Sequence, residues 1–239
     1  KDSNEIVISP GIDLKSLIKS KPSLQSKNVI SEIEFASRYT NAFIIAVTGT
    51  NGKTTTSKLI YHILKNSGFN VGLAGNIGYS FSRSVSENQF DYYVLEVSSF
   101  QLDHILNFRP DISVITNITP DHLDRYDHKL ENYINAKFKI ISNQKSSDYF
   151  IYSGDCTNTK NKINHLKSKV FTIPFFTGNK KNPKNNYLVK LKNKIKLSIN
   201  NNENMIDISK SPLVGLHNVK NSMAAIAVSE ILNISNKKI

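Results

Sequence analysis

The sequence has a single cysteine, Cys156, among 239 residues. One thiol allows neither an internal disulfide nor a thiolate metal cage, so the chain suits a reducing cytosol and must be held by its core. No apolar run approaches the roughly 18 to 20 residues needed to cross a bilayer, and the N-terminus lacks the charged-then-apolar pattern of a secretory signal. A cytoplasmic chain with no membrane partner is expected. An initiating Met is also missing: the chain opens on Lys1 and enters the apolar run Ile6-Val7-Ile8 almost at once, as a piece of a longer protein would. No internal repeat is visible. Acidic residues are few, 19 against 31 Lys plus Arg, for a formal charge of +12. That excess lies in Asn/Lys-rich stretches, Lys160 to Lys169 and Lys180 to Lys196, which lack the aromatic interleaving of a single-strand platform. It reads as a solvated lysine-rich surface without a nucleic-acid partner.

Present instead are short apolar runs alternating with helical patterns: Ile6 to Ile8, Phe43 to Val47, Val71 to Ala74, Tyr92 to Val97, Ile112 to Ile115 and Tyr149 to Tyr152. The alternation predicts an α/β fold, a mostly parallel P-loop-type sheet with helices on both faces. Leu59, Ile60, Ile63 and Leu64 share one face of a helix over Thr54 to Ser67, and Gly68 is placed to end it. Ser31 and Glu34 have the spacing of a capping box. Asp121 to Ile141 reads as one or two helices, Asn218 to Leu232 as a terminal one, and Gly178 to Asn186 as a loop. From Tyr187 to Ile199 apolar residues alternate with polar ones around Asn193, predicting an antiparallel hairpin added to the sheet edge. Polar Arg38 to Asn41 marks a boundary between a first strand-and-helix unit and a phosphate-binding unit.

The chemistry begins at Val47-Thr48-Gly49-Thr50-Asn51-Gly52-Lys53-Thr54-Thr55, which follows an apolar strand and opens a helix. Glycines let backbone amides turn toward phosphate, the helix N-terminus adds positive potential, Lys53 suits the outer phosphates and the Thr54 hydroxyl suits Mg2+. Val47 stands where the strict P-loop pattern has glycine, so the loop is a variant. Glu96 lies near the carboxyl end of an otherwise apolar strand; a buried carboxylate is costly unless paired or on a metal, making it a Mg2+ ligand candidate beside the plainer reading of an edge residue reaching water. After Ile112 to Ile115, the run Thr116 to Tyr126 carries His122, a candidate ligand or an ordinary structural side chain. Lys137, amid Tyr133, Ile134, Ala136 and Phe138, either snorkels from a half-buried face or, with its pKa lowered by burial, adds CO2 to become a carbamate that binds Mg2+.

Together Ser9-Pro10-Gly11-Ile12, Gly49 to Thr55, Gly75-Asn76-Ile77-Gly78, Leu95 to Leu102, Asn117 to Tyr126, Ala136-Lys137 and Gly215-Leu216-His217-Asn218 with Asn221 resemble the Mur ligase family, in the family's order and over nearly the whole chain. Folate polyglutamate ligases share the glycine loop. Ser98-Ser99-Phe100-Gln101-Leu102 and Asp121 to Tyr126 point more narrowly to the branch that adds D-glutamate to UDP-N-acetylmuramoyl-L-alanine through an acyl phosphate in peptidoglycan synthesis. The resemblance implies ATP and Mg2+ as cofactors and a monomer. It implies Gly49, Thr50, Asn51, Gly52, Lys53, Thr54 and Thr55 around the phosphates, with Asn218 and Asn221 on the adenine side. Thr54, Glu96, His122 and carbamylated Lys137 become metal ligands; Lys53, Glu96, His122 and Lys137 form the catalytic set. Ser9, Gly11, Asn76, Ser98, Gln101 and His122 become contacts to the UDP-sugar substrate. Residues 1–40 then correspond to the tail of the N-terminal UDP-substrate-binding domain and 41–239 to the central ATP-binding domain, with the C-terminal domain absent. The isolated chain is expected to bind nucleotide weakly and not to complete ligation. Other readings are a different Mur-type or folylpolyglutamate-type ligase, a basic nucleic-acid-binding P-loop ATPase, or an inactive nucleotide-binding fragment.

Overall fold

The computed structural model of the chain describes residues 3–166, 169–178 and 185–239. β1 (Glu5–Ile8) leads through α1 (Leu14–Ser20) to β2 (Asn28–Ser31), and the two strands pair in parallel as a sheet of their own. α2 (Glu32–Ser37) connects them to the larger unit. There follow β3 (Phe43–Thr48), α3 (Lys53–Asn66), β4 (Val71–Gly75), α4 (Phe81–Glu87), β5 (Tyr92–Glu96), α5 (Ser99–Asp103), β6 (Ile112–Ile115), α6 (Leu130–Phe138), β7 (Tyr149–Ser153), α7 (Thr157–Asn164), β8 (Phe171–Phe176), β9 (Tyr187–Leu191), β10 (Lys194–Ile199), β11 (Asn202–Asp207) and α8 (Leu216–Ile231). The second sheet runs β4-β5-β3-β6-β7-β8-β9-β10-β11. It is parallel from β4 to β9 and antiparallel for the last two strands. Among the described residues no helix is long and apolar enough to cross a membrane.

The central strands β3, β5 and β6 are apolar apart from Thr48, Glu96 and Ser113, because both faces are covered, and successive residues feed opposite clusters. Ile45, Val47, Val94, Ile112 and Val114 pack with Ile60, Ile63 and Leu64 of α3 and Met223 to Val228 of α8. Ile44, Ala46, Tyr93, Leu95 and Ile115 pack with helices of the other face, through Phe81, Leu102, Tyr133 and Ile134. β3 lies between β5 and β6, so the chain passes to one side of β3 and then crosses to the other. Such a reversal opens a crevice at the strands' carboxyl ends, where ligands gather in open parallel sheets.

Several elements depart from the sequence pattern. The Ile6 to Ile8 run joins only the small first sheet. β8 carries Pro174, which argues against a strand in sequence, and β11 contributes one buried apolar side chain, Ile206. The expected hairpin forms as β9 and β10, turning at Lys192 with φ 50°, and β9 also pairs in parallel with β8. Asp121 to Ile141 breaks into a 3-10 turn at Leu123–Tyr126, α6, and a second 3-10 turn at Lys139–Ile141. Left-handed backbone at His122, Asp127 and His128 (φ 48°, 55° and 56°) interrupts the helix. In the expected loop Gly178 to Asn186, residues 179–184 lie outside the described residues, as do 167–168 and 180–184 of the two lysine-rich stretches.

α2 is bolted to the larger unit. Ile33 and Ala36 are buried in the cluster of α4 and α5. Ser31 Oγ accepts from the Glu34 amide at 3.2 Å, half of the expected capping box. The other half is missing because the fully buried Glu34 carboxylate is used elsewhere: its Oε2 accepts the amides of Leu106, Asn107 and Phe108 at 2.9, 2.9 and 2.8 Å. Arg38 reaches Glu34 Oε1 at 3.4 Å and grips Glu5 of β1 through two bonds, so one carboxylate ties the first sheet, α2 and the 105–108 segment together. Glu34→Ala would leave three amides without an acceptor, at about 1–3 kcal/mol each for a buried donor. Urea unfolding should therefore show a loss of about 3 kcal/mol or more; a loss under about 1 kcal/mol would mean that water or backbone shifts satisfy those amides.

Candidate active site

The glycine loop is shaped by close approach as much as by conformational freedom. Gly49 (φ 146°) sits so near the end of β6 that a Cβ there would fall 1.9 Å from Thr116 Oγ1. Thr116 Oγ1 donates to Asn51 O at 2.6 Å, Asn117 Oδ1 accepts the Asn51 amide at 3.1 Å, and the Thr50 amide donates to Asn117 O at 2.9 Å. Thr50 Oγ1 bonds Thr119 at both carbonyl (3.1 Å) and amide (3.0 Å) and meets the Tyr133 hydroxyl at 3.3 Å. The segment after β6 is thus the bed on which the loop lies. Gly52 (φ 83°) opens α3 in left-handed backbone, and a Cβ there would strike Asn221 Oδ1 at 2.4 Å.

At the end of β5, Glu96 is only 3% exposed. Its Oε2 accepts the Thr54 hydroxyl at 2.7 Å and its Oε1 accepts Asn76 Nδ2 at 3.0 Å. Gly75 carries the chain past it with φ 103°, where a Cβ would lie 2.3 Å from Glu96 O. Three predicted residues from three separate strand ends, Thr54, Glu96 and Asn76, therefore meet through direct bonds.

Two cations share the other side of the loop. Lys53 Nζ donates to Gly49 O at 3.0 Å and Thr50 O at 2.9 Å; Lys137 Nζ, on α6, donates to the same Gly49 carbonyl at 2.9 Å. Lys137 is 2% exposed, with its ammonium 4.5 Å from the Tyr133 ring centre. Burial pulls its pKa down to about 7, and the neighbouring Lys53 charge pushes the same way. Of the two readings open from sequence, a snorkelling side chain is the one this burial disfavours.

Other candidates are placed less directly. His122 is exposed, with Nε2 3.5 Å from Asp121 Oδ2 and its ring 5.5 Å from that of Phe100. Ser98 and Gln101 form a reciprocal capping box at the start of α5, their side chains bonded to each other at 3.1 Å. Ser9 and Gly11 lie in an exposed turn of the first unit. Asn218 Nδ2 donates to Val214 O at 2.9 Å, while Asn221 Oδ1 accepts from Thr56 Oγ1 at 3.3 Å.

Beside the loop is a cleft of about 520 Å³ whose walls include Gly52, Thr55, Phe175, His217, Lys220 and Asn221. Phe175 and Lys220 went unnoticed in the sequence. Phe175 comes from β8, whose strand character was hidden, whereas Lys220 follows at helical spacing from Leu216 and was within reach of a helical-wheel reading.

The donor set fits magnesium. A hydroxyl and a carboxylate are hard oxygen donors, as Mg2+ prefers, and the ion ordinarily takes only one or two carboxylates and completes its shell with phosphate oxygens and water. No cluster of three His, Cys, Asp or Glu able to hold a metal occurs among the described residues.

Residues 47–229 match the Mur ligase middle domain. A UDP-N-acetylmuramoylalanine--D-glutamate ligase of Christiangramia forsetii is 44% identical over 238 residues, 100% of this chain and 53% of that protein. One from Bacteroides fragilis is 54% identical over 173 residues, 72% of this chain and 39% of that protein. The chain thus spans about half the length, or less, of these curated relatives. Among solved structures, UDP-N-acetylmuramate:L-alanyl-gamma-D-glutamyl-meso-diaminopimelate ligase from Neisseria meningitides superposes with a TM-score of 0.66 at 18% identity, over 99% of this chain and 76% of that one. MurF ligase from Thermotoga maritima in complex with ADP gives 0.62 at 16%, over 97% and 60%. At such identities the structural matches speak for the fold alone. Matched over most of its length by the middle-domain family, the chain belongs to the Mur ligase family.

Proposed function

We propose that this chain is the ATP-binding core of a cytoplasmic ligase that joins D-glutamate to UDP-N-acetylmuramoyl-L-alanine. The observation that carries the reading is the Thr54–Glu96 bond of 2.7 Å at the mouth of the glycine loop, a magnesium-ready pair beside a phosphate cradle. The names of the relatives supply the substrates.

A carboxylate is a poor electrophile, since its leaving group would be oxide. ATP remedies this by transferring its γ-phosphoryl group to the L-alanine carboxylate, giving an acyl phosphate and ADP. The D-glutamate amine then attacks the acyl carbon, the C–O bond to phosphate breaks, a proton leaves the nitrogen, and amide and inorganic phosphate result. Three anions must converge, so countercharge is the main requirement. Bound Mg2+ would supply Lewis-acid charge neutralisation at the phosphates. Loop amides from Gly49 to Thr54 cradle the phosphates, and Lys53 exchanges the Gly49 and Thr50 carbonyls for phosphate oxygens. Thr54 and Glu96 would hold the ion, Asn76 keeps Glu96 oriented, and the Phe175–His217–Lys220 cleft with Asn221 would take the nucleoside. Lys137, with its pKa near 7, has a neutral fraction whose lone pair can bond to CO2 with release of a proton, giving a carbamate anion that would serve as a further ligand with His122.

In the intact protein carrying this sequence, phosphate release from ATP should require UDP-N-acetylmuramoyl-L-alanine and rise with D-glutamate over other amino acids. Glu96→Gln should cut turnover about 100-fold or more, the scale of losing one preorganised charge-stabilising group. Stimulation by a different amino acid, or by single-stranded DNA, would replace the reading with one of its rivals.

Lys137 makes a separate prediction. Its folded pKa of about 7 lies below the ordinary 10.5, so between those values the unfolded chain binds the proton and the folded one does not. Stability should accordingly rise with pH across that window and lose its advantage as pH falls through 7. Lys137→Met should flatten this rise in denaturation curves, and 13C-bicarbonate should give a carbamate signal that the variant lacks. A wild type already flat over that range, with no such signal, would refute both statements.

A further inference from the structure

The Ser9-Pro10-Gly11-Ile12 turn leaves β1 into solvent, closed by its own bond from the Ile12 amide to Ser9 O at 3.1 Å. Pairing with β2 ends at Ile8, so the first sheet does not fix which way the turn points. Across a cleft of about 450 Å³ it faces Phe100, Asp103, Arg125 and Tyr126 of the larger unit. Arg125 spans the gap: its Nη2 donates to Ile12 O at 3.0 Å.

Arg125 is itself held from below. Its guanidinium lies 4.6 Å from the Phe100 ring centre, a cation–π contact on a planar face. Phe100 is stacked on Tyr126 at 5.9 Å and 5°, and its other neighbour is the His122 ring at 5.5 Å. The Tyr126 hydroxyl donates to Asp103 Oδ2 at 2.8 Å, which fastens the aromatic pair to α5. Phe100 follows Ser98 and Ser99 directly after Glu96's strand, and Arg125 lies three residues beyond His122. A line of contacts therefore runs from the exposed turn through Arg125 and Phe100 to His122.

We propose that Arg125 is a positioning residue: standing on Phe100, it clamps the Ser9–Ile12 turn against the rim and thereby sets how well the acceptor sugar-peptide is held, without touching ATP. The substrate part of this rests on the function proposed above; the clamp itself does not. In Arg125→Ala the turn loses its tie. In Arg125→Lys a cation with ammonium N–H donors remains, enough for a single carbonyl and a ring face.

The test uses the intact protein with Arg125→Ala, Arg125→Lys and Phe100→Leu. KM for UDP-N-acetylmuramoyl-L-alanine should rise about tenfold in Arg125→Ala, the equivalent of one charge-assisted hydrogen bond, while KM for ATP and kcat stay within about twofold. Arg125→Lys should recover most of the loss, and Phe100→Leu should fall between. Amide hydrogen exchange over residues 11–14 should quicken in Arg125→Ala and Phe100→Leu and stay near wild type in Arg125→Lys. Unchanged exchange in Arg125→Ala would overturn the clamp. Equal damage to both KM values and kcat would overturn the positioning role and mark Arg125 as merely structural. A wild type with no D-glutamate-dependent turnover would count against the proposed ligase activity, leaving exchange alone to decide the clamp.

Discussion

A carboxylate held almost out of water at the end of an apolar parallel strand is the constraint around which this site is built. Left alone, buried Glu96 would cost several kcal/mol in lost hydration. It is offset by two donors, the Thr54 hydroxyl and the Asn76 amide, one for each oxygen. Those donors sit on the first turn of α3 and just beyond β4, so satisfying one acid draws three strand ends into a single rim. Parallel pairing of β3, β4 and β5 makes this geometrically available, since all three strands end on the same side of the sheet. A hydroxyl that donates to a carboxylate can also turn its lone pairs to a metal, so the bond that stabilises the free protein lies where the proposed ion would sit.

Close packing of backbone against backbone is the second constraint. Gly49, Gly52 and Gly75 all have positive φ, and at each a Cβ would collide with a neighbour. The Gly49 carbonyl receives two lysines, which is tolerable because burial brings Lys137 close to neutrality at physiological pH. The loop is preorganised by the 116–119 segment beneath it, while its cations are parked on its own carbonyls, a bonding arrangement that an incoming phosphate can take over without rebuilding the backbone.

Much of this was legible in the sequence. Apolar runs bounded by turns located β3 through β7, because that pattern follows from burial on two faces, and the Gly-Lys-Thr spacing located the glycine loop that opens α3. The residues that cap and clamp were harder to see. Glu34 has capping-box spacing, yet tertiary demand from three amides at 106–108 outweighs the local bond. Ser98 and Gln101, for which the family resemblance implies substrate contacts, close a capping box at the start of α5, a bond the sequence reading did not single out. β8 was hidden by Pro174 and β11 by its polar composition, so Phe175's place in the cleft beside the glycine loop could not be foreseen. The tie from Arg125 to a carbonyl 113 positions away has no local signature at all.

The question most directly put to this structure is where a divalent ion settles when triphosphate is present. Crystals of the intact protein grown with a non-hydrolysable ATP analogue and Mn2+ would locate the ion by anomalous scattering. A peak in bonding contact with both the Thr54 hydroxyl and a Glu96 carboxylate oxygen is the expected result. A nucleotide seated on the glycine loop with its ion bound to neither residue would contradict the role given to the Thr54–Glu96 pair.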